Sequence, residues 1–305
     1  MDGILIIDKP AGPTSHDVVA RVRRALGERR IGHGGTLDPL ATGVLVLLVG
    51  RATRLARFIA GTDKTYDATI RLGVATDTYD AAGRVVPVSA APPDCGTAAT
   101  AALPDREAVA QALASFVGTY AQTPPAFSAK KVDGVRAYVR ARQGAPVEPK
   151  PAVVSAREIA LESVEAGLVR LWVRCSAGFY VRALAHALGE RLGVGAHLEA
   201  LRRTRAGGFD ISQAVTLESV EREGTAAARR LVPLANALPD LPSVALTDGG
   251  VRRALHGMTL VGADFPAAPP GGPGPLRLFS PDGRLVAIAR AGASPGVLHP
   301  FIVIG

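Results

Sequence analysis

One carboxylate in this chain stands where chemistry could be done. Asp38 lies in the stretch Gly32-His33-Gly34-Gly35-Thr36-Leu37-Asp38-Pro39-Leu40-Ala41-Thr42-Gly43, directly ahead of the apolar run Val44 to Val49. Six apolar residues closed by Gly43 and Gly50 predict a buried strand. A glycine-rich loop tied to such a rigid base is the usual build of a functional loop. A carboxylate fixed there could act as a nucleophile or take a proton. An aspartate before proline is also a common turn residue or helix cap, and by itself Asp38 leaves that reading open.

The elements around the loop can be read from spacing. Ile4 to Ile7 predict a short buried strand, ended by the turn-rich Asp8-Lys9-Pro10-Ala11-Gly12-Pro13. Thr14 and Asp17 have capping-box spacing. Val18, Val19, Val22, Ala25 and Leu26 then repeat at helical spacing, with Arg21, Arg23 and Arg24 on a basic face. Thr65 to Leu72 and Leu168 to Cys175 alternate like strands. Arg106 to Phe116 and the stripe Val181, Leu184, Ala185, Leu188, Leu192 predict helices, the second stopped by Gly193. Thr76 to Gly83 reads as a polar turn, Leu201 by itself as plain helix core, and residues 87–104 as an Ala/Pro-rich surface loop. Past Leu238-Pro239-Asp240-Leu241-Pro242 the pattern becomes a Pro/Gly-rich loop and a β-hairpin around Ser280-Pro281-Asp282-Gly283. The expected division is residues 1–238 and a β-rich unit, 239–305, near the lower size limit for independent stability.

Composition narrows the function classes. The chain has 305 residues, 48% of them hydrophobic, which suits a globular core. Its net charge is +8 and its arginines cluster, which favours a polyanionic partner. The two cysteines, Cys95 and Cys175, form no CxxC or Cys/His cluster, so neither a disulfide framework nor a zinc site is indicated. The six histidines are scattered, so no metal is expected. The apolar N-terminal run is too short for a signal peptide and no segment approaches a membrane span, so the expected location is cytoplasmic and the default state a monomer.

Five stretches together resemble the TruB-type tRNA pseudouridine synthases. Residues 32–43 resemble the motif GHxGTLDPxAxG, whose aspartate is catalytic in that family. Lys9-Pro10, Gly12 and Thr14-Ser15 resemble KPxGxTS, and Lys64-Thr65-Tyr66 the K-x-Y segment. Cys175 to Arg182 resembles CSxGxYIR with Val181 for Ile, and Gly195-Ala196-His197-Leu198 with Leu201-Arg202-Arg203 resembles GAHxxxLRR. They occur in the family's order over residues 1 to about 215. Gly34 departs from the threonine or similar residue usual there, which bears on loop stiffness.

The resemblance implies an α+β pseudouridine synthase domain around a mixed, mainly antiparallel sheet, followed by a small PUA-like RNA-binding domain. It implies conversion of uridine to pseudouridine at position 55 of the tRNA T loop. Asp38 would be the catalyst and Arg182 its ion-pair partner, favouring the charged carboxylate. Tyr66 would stack on the target base and serve in proton removal from C5. Tyr180 and Leu201 would wall the pocket, and His33 would fill the space left by the extruded nucleotide and contact RNA. The reaction breaks N1–C1′ and joins C5 to C1′ within one nucleotide, so no cofactor is needed. The rival readings are a non-catalytic RNA-binding or RNA-folding protein on the same scaffold, and a metal-free hydrolase using Asp38. The combined Asp38, Tyr66 and Arg182 set speaks against the first as sole function, and the basic balance against the second.

Overall fold

A computed structural model describes residues 1–88, 103–128 and 149–305, with 130–132, 134–137, 140 and 147 between them. The expected Ala/Pro-rich loop at 87–104 lies almost wholly outside the described residues. The chain opens with strand β1 (Gly3–Lys9), helix α1 (Ser15–Leu26), β2 (Ile31–His33), β3 (Thr42–Val49), α2 (Ala56–Ala60) and β4 (Lys64–Leu72). The short pair β5 (Ala75–Thr76) and β6 (Val85–Val86), α3 (Arg106–Ala114), β7 (Gly118–Gln122), and the short pair β8 (Lys131–Val132) and β9 (Val135–Arg136) follow. Next come β10 (Ala152–Glu165), β11 (Leu168–Cys175), α4 (Val181–Arg191), β12 (Ala196–Ala206), β13 (Phe209–Asp210), β14 (Val215–Thr216) and α5 (Leu217–Glu223). The terminal part holds β15 (Ser243–Ala245), α6 (Asp248–Leu255), β16 (Leu276–Phe279), β17 (Leu285–Ala291) and β18 (Leu298–Val303).

The large sheet runs β14-β1-β3-β12-β4-β11-β10-β7, with β2 on β3 and β13 on β12. Among the described residues only the β1–β14 and β3–β12 pairings in it are parallel, so the sheet is mixed and mainly antiparallel, as expected. The runs Ile4–Ile7 of β1 and Val44–Val49 of β3 are apolar because both their faces are covered. Leu5, Ile7, Leu45, Leu47 and Val49 join α1, α3, α4 and α5 in one core, while Ile4, Ile6, Val44, Val46 and Leu48 belong to a second. β4 and β11 instead alternate, burying Ala68, Ile70, Leu171 and Val173 on one face only.

The second core also takes in Leu285, Ile288 and Ile304, so the four-stranded sheet β15-β16-β17-β18 shares apolar surface with the large one. Phe58 meets Phe301 at a centroid distance of 6.3 Å, and the Arg57 guanidinium lies 4.6 Å above the Phe301 ring. Its own core is small, built around Val244, Leu246, Leu260, Leu278 and Leu298. A unit of that size gains from leaning on its neighbour. No helix among the described residues is long and apolar enough to cross a membrane.

One expected element is wrong in kind. The Leu198–Leu201 region is strand β12, paired with β4 from Ala196↔Leu72 to Ala206↔Lys64. An irregularity between Leu198 and Ala200 turns both Leu198 and Leu201 inward. Apolar residues three apart imitate helical spacing, while a bulge, not a helix, puts them on one face.

The cap on α1 forms as expected. The Thr14 hydroxyl accepts from Asp17 N at 3.1 Å, and Asp17 Oδ2 accepts from Thr14 N at 2.9 Å. Thr14→Ala should lower stability by about 1 kcal/mol, read as an earlier urea midpoint with unchanged slope. The basic face of α1 is partly occupied: Arg21 pairs with Glu221 of α5, and Arg23 donates to Ile31 O.

Candidate active site

The loop that carries Asp38 is held from both sides. Ser15, the first residue of α1, is 1% exposed; its Oγ donates to Leu37 O at 3.0 Å and accepts from Leu37 N at 2.8 Å. On the other flank, Gly12 N donates to Pro39 O at 2.8 Å. Lys9 Nζ donates to Pro39 O at 3.2 Å and to Ala41 O at 2.7 Å. The residues that resemble KPxGxTS therefore grip the chain immediately before and after Asp38. Burial pushes the Lys9 ammonium down to about 8, with Asp38 pulling it back up.

Two glycines make room. A Cβ at Gly34 would lie 2.4 Å from Ile59 Cγ2, so the departure from a larger residue there follows from the close approach of α2. Gly43 has φ +96°, and a Cβ on it would lie 2.2 Å from Arg203 O, where β3 and β12 meet. Beneath the loop runs Arg203, 2% exposed, whose Nε donates to Val44 O at 2.7 Å and Nη2 to Gly35 O at 3.1 Å. Removing the Ser15 hydroxyl would strand the buried N–H and C=O of Leu37. Ser15→Ala should therefore cost about 1–3 kcal/mol of stability, measured by chemical unfolding, and Ser15→Thr should be milder if its methyl fits.

Asp38 and Arg182 meet, although 144 positions separate them. Arg182 opens α4 and is 4% exposed. Its Nη2 donates to Asp38 Oδ1 at 3.1 Å, and its Nε lies 2.8 Å from Oδ2, an ionic contact off the hydrogen-bond line. Nη1 donates to Thr78 O at 3.0 Å and Nη2 also to Phe127 O at 3.0 Å. A second carboxylate, Asp80, lies 3.4 Å from Nη1 and is itself 6% exposed. Asp80 Oδ1 accepts from Thr78 Oγ1 and from Ala82 N. The stretch read as a polar turn is thus a docked part of the site. Ala81 N donates to Leu198 O, and the ring of Tyr79, at φ 64°, stacks 3.8 Å from His186.

Asp38 opens onto a cleft of about 260 Å³. Tyr66, Tyr180, Arg182 and Leu201 line it with Asp38, as do Lys64, Phe179 and Arg203. Tyr66 sits on β4 between Val173 of β11 and Arg203 of β12, and burial raises its hydroxyl while Arg203 opposes the rise. Tyr180 is half-buried; its hydroxyl is also raised, mainly by burial. Its backbone is fixed by Gln122, which accepts from Tyr180 N at 2.8 Å and donates to Tyr180 O at 3.1 Å. Lys64 is 6% exposed with Nζ on Ala60 O and Thr62 O, at 2.5 and 2.6 Å, and burial pushes it down to about 8.

His33 is not among the cleft-lining residues. It ends β2, and its ring stands edge-on to His16 of α1 at 5.3 Å. Among the described residues no group of three His, Cys, Asp or Glu is arranged to hold a metal ion.

Sequence reasoning did not single out Asp80, Ser15, Lys9, Lys64, Arg203 or Gln122 for any role. The signal for Lys9, Ser15, Lys64 and Arg203 was their place in the spaced motifs, which assigned them no role; Asp80 and Gln122 carried none.

Residues 23–181 match the model of the TruB family pseudouridylate synthase N-terminal domain, and residues 182–238 that of the tRNA pseudouridylate synthase B C-terminal domain. The tRNA pseudouridine synthase B of Thermobifida fusca (strain YX) is 46% identical over 308 residues, covering 97% of this chain and 98% of the relative. That of Solibacter usitatus (strain Ellin6076) is 43% identical over 312 residues, covering the whole of both. In a structure of an H/ACA RNP bound to a substrate RNA containing 2'-deoxyuridine, one chain shares the fold with a TM-score of 0.73 at 25% identity, over 99% of this chain and 85% of that one. Fold, motifs and matched spans agree: the chain belongs to the TruB family of pseudouridylate synthases.

Proposed function

We propose that the protein isomerises uridine to pseudouridine at position 55 in the T loop of tRNA, with Asp38 as the catalytic group. The observation that carries the reading is a carboxylate held by a buried arginine in a cleft that two tyrosines also line. A stacked uridine cannot reach such a cleft, so the nucleotide must flip out, at a few kcal/mol of unstacking. Stacking on Tyr66 returns about 1–3 kcal/mol. Tyr180 and Leu201 confine the base while it is detached, and Arg182 fixes the carboxylate's direction.

Asp38 either attacks C1′ as a nucleophile or removes the 2′ proton. In both routes uracil leaves with the N1–C1′ electron pair, turns, and bonds through C5 to C1′ as the Asp38–C1′ bond breaks or, from the 2′-deprotonated sugar, as Asp38 returns the proton to C2′. Loss of the C5 proton, assisted by Tyr66, and protonation of N1 complete the product. Substrate and product have the same atoms, so no cofactor enters.

Residues 1–238 would carry the chemistry, and 239–305 would act as a PUA-like unit that helps grip the T arm through phosphates and shape. His33 would contact RNA outside the cleft. The protein would act on tRNA as a monomer in the cytoplasm.

The test is pseudouridine mapping on an unmodified tRNA transcript, with no metal or cofactor added. One new pseudouridine in the T loop, absent with Asp38→Asn, is expected. Tight, salt-sensitive tRNA binding without product would overturn the catalytic reading in favour of RNA binding alone.

A further inference from the structure

Two cations of the cleft hold neither Asp38 nor Asp80. Lys64 and Arg203 are 6% and 2% exposed and both line the cleft. The partners of the Lys64 head are the carbonyls of Ile59, Ala60 and Thr62. Those of Arg203 are the carbonyls of Gly35, Thr36 and Val44. Tying carbonyls together needs donors, not charge, and a buried charge without a paired carboxylate is expensive. Among the described lining residues the acids and strong bases are Asp38 against Lys64, Arg182 and Arg203, a cationic excess. The two heads converge at Gly35. A Cβ there would lie 3.7 Å from Arg203 Nη1 and 3.8 Å from Lys64 Cε.

Resting on the isomerisation proposed above, we propose that Lys64 and Arg203 form a cationic floor that stabilises the uracil anion while it is detached from the ribose. When N1–C1′ breaks, the electron pair stays on N1 and spreads to O2 and O4. C1′ is taken by an Asp38 oxygen or, after Asp38 receives the 2′ proton, by a double bond to C2′. Either way a free anion must turn inside the cleft before C5 bonds to C1′. Heads whose hydrogens are engaged by carbonyls act on that anion through their field. A field does not depend on one bond direction, so it persists as the ring turns. In a water-poor cleft such preorganised charge is most effective where charge develops.

The experiment compares single-turnover N1–C1′ cleavage in tRNA transcripts carrying uridine or 5-fluorouridine, whose base leaves as a more stable anion. Wild type, Lys64→Met and Lys64→Arg are measured. Lys64→Met should slow cleavage of uridine by about 100-fold and of 5-fluorouridine by much less. Lys64→Arg, which keeps the charge, should retain the wild-type ratio between substrates. Equal losses on both substrates would overturn the proposal and assign Lys64 a structural role. Weaker tRNA binding with an unchanged cleavage rate would also overturn it, in favour of a site for substrate phosphate. Should Lys64→Met not fold, the wild type alone decides. Similar rates on both substrates are expected, because the floor already supports the poorer leaving group, and a strong preference for 5-fluorouridine overturns the idea. Failure of the isomerisation reading itself would look different, since wild type would then make no pseudouridine from uridine.

Discussion

Asp38→Asn is expected to lower pseudouridine formation by at least about 10⁴-fold while the protein stays folded and still binds tRNA. The amide has the carboxylate's shape and can accept from Arg182 Nη2, but it is neither a nucleophile nor a base. Arg182 is not left without an anion, because Asp80 stays 3.4 Å from its Nη1. Asp38 is one-third exposed, so the lost ion pair should change stability by about 1 kcal/mol or less. Phosphate contacts, which dominate affinity for nucleic acid, are untouched. Single-turnover mapping and filter binding at matched salt would read the two effects separately. Product at a rate near wild type would remove Asp38 from the mechanism.

Arg182→Met should damage both stability and activity. Asp80 is buried, and removing the guanidinium leaves its carboxylate without that counter-charge, at about 3–5 kcal/mol. The carbonyls of Thr78 and Phe127 lose their donors at the same time. Arg182→Lys keeps the charge, but one ammonium cannot span four acceptors fixed for a planar fork, so it should be intermediate. Adding Asp80→Asn to Arg182→Met should recover much of the stability by removing the orphaned charge, with no return of activity, because Asp38 still lacks its partner. A urea series on wild type, Asp80→Asn, Arg182→Met and the double variant forms the cycle. A stability near wild type for Arg182→Met would contradict the network described here.

Much of the framework was legible along the chain. β3 and β11, the Thr14 cap and α4 are fixed by local rules: apolar runs, alternation, capping hydroxyls and a glycine stop. Asp38 was legible because its glycines and proline are contiguous. The bulged strand around Leu201 was not, since two inward leucines three apart look the same in a bulge and in a helix.

By itself, then, the sequence determined the elements, the catalytic candidate and, through spaced motifs, the family. Tertiary structure decided how the site is wired. Arg182 reaches Asp38 across 144 positions and takes Asp80 as a second partner from the stretch read as a polar turn. Lys9 and Ser15 became clamps on the Asp38 loop, Lys64 and Arg203 became buried cations at the cleft, and His33 was placed away from the lining. The physical reason is common to all of these. Helical and strand periodicity is set by neighbours along the chain, whereas the partner of a buried polar group is set by which strands pair and which helix covers them.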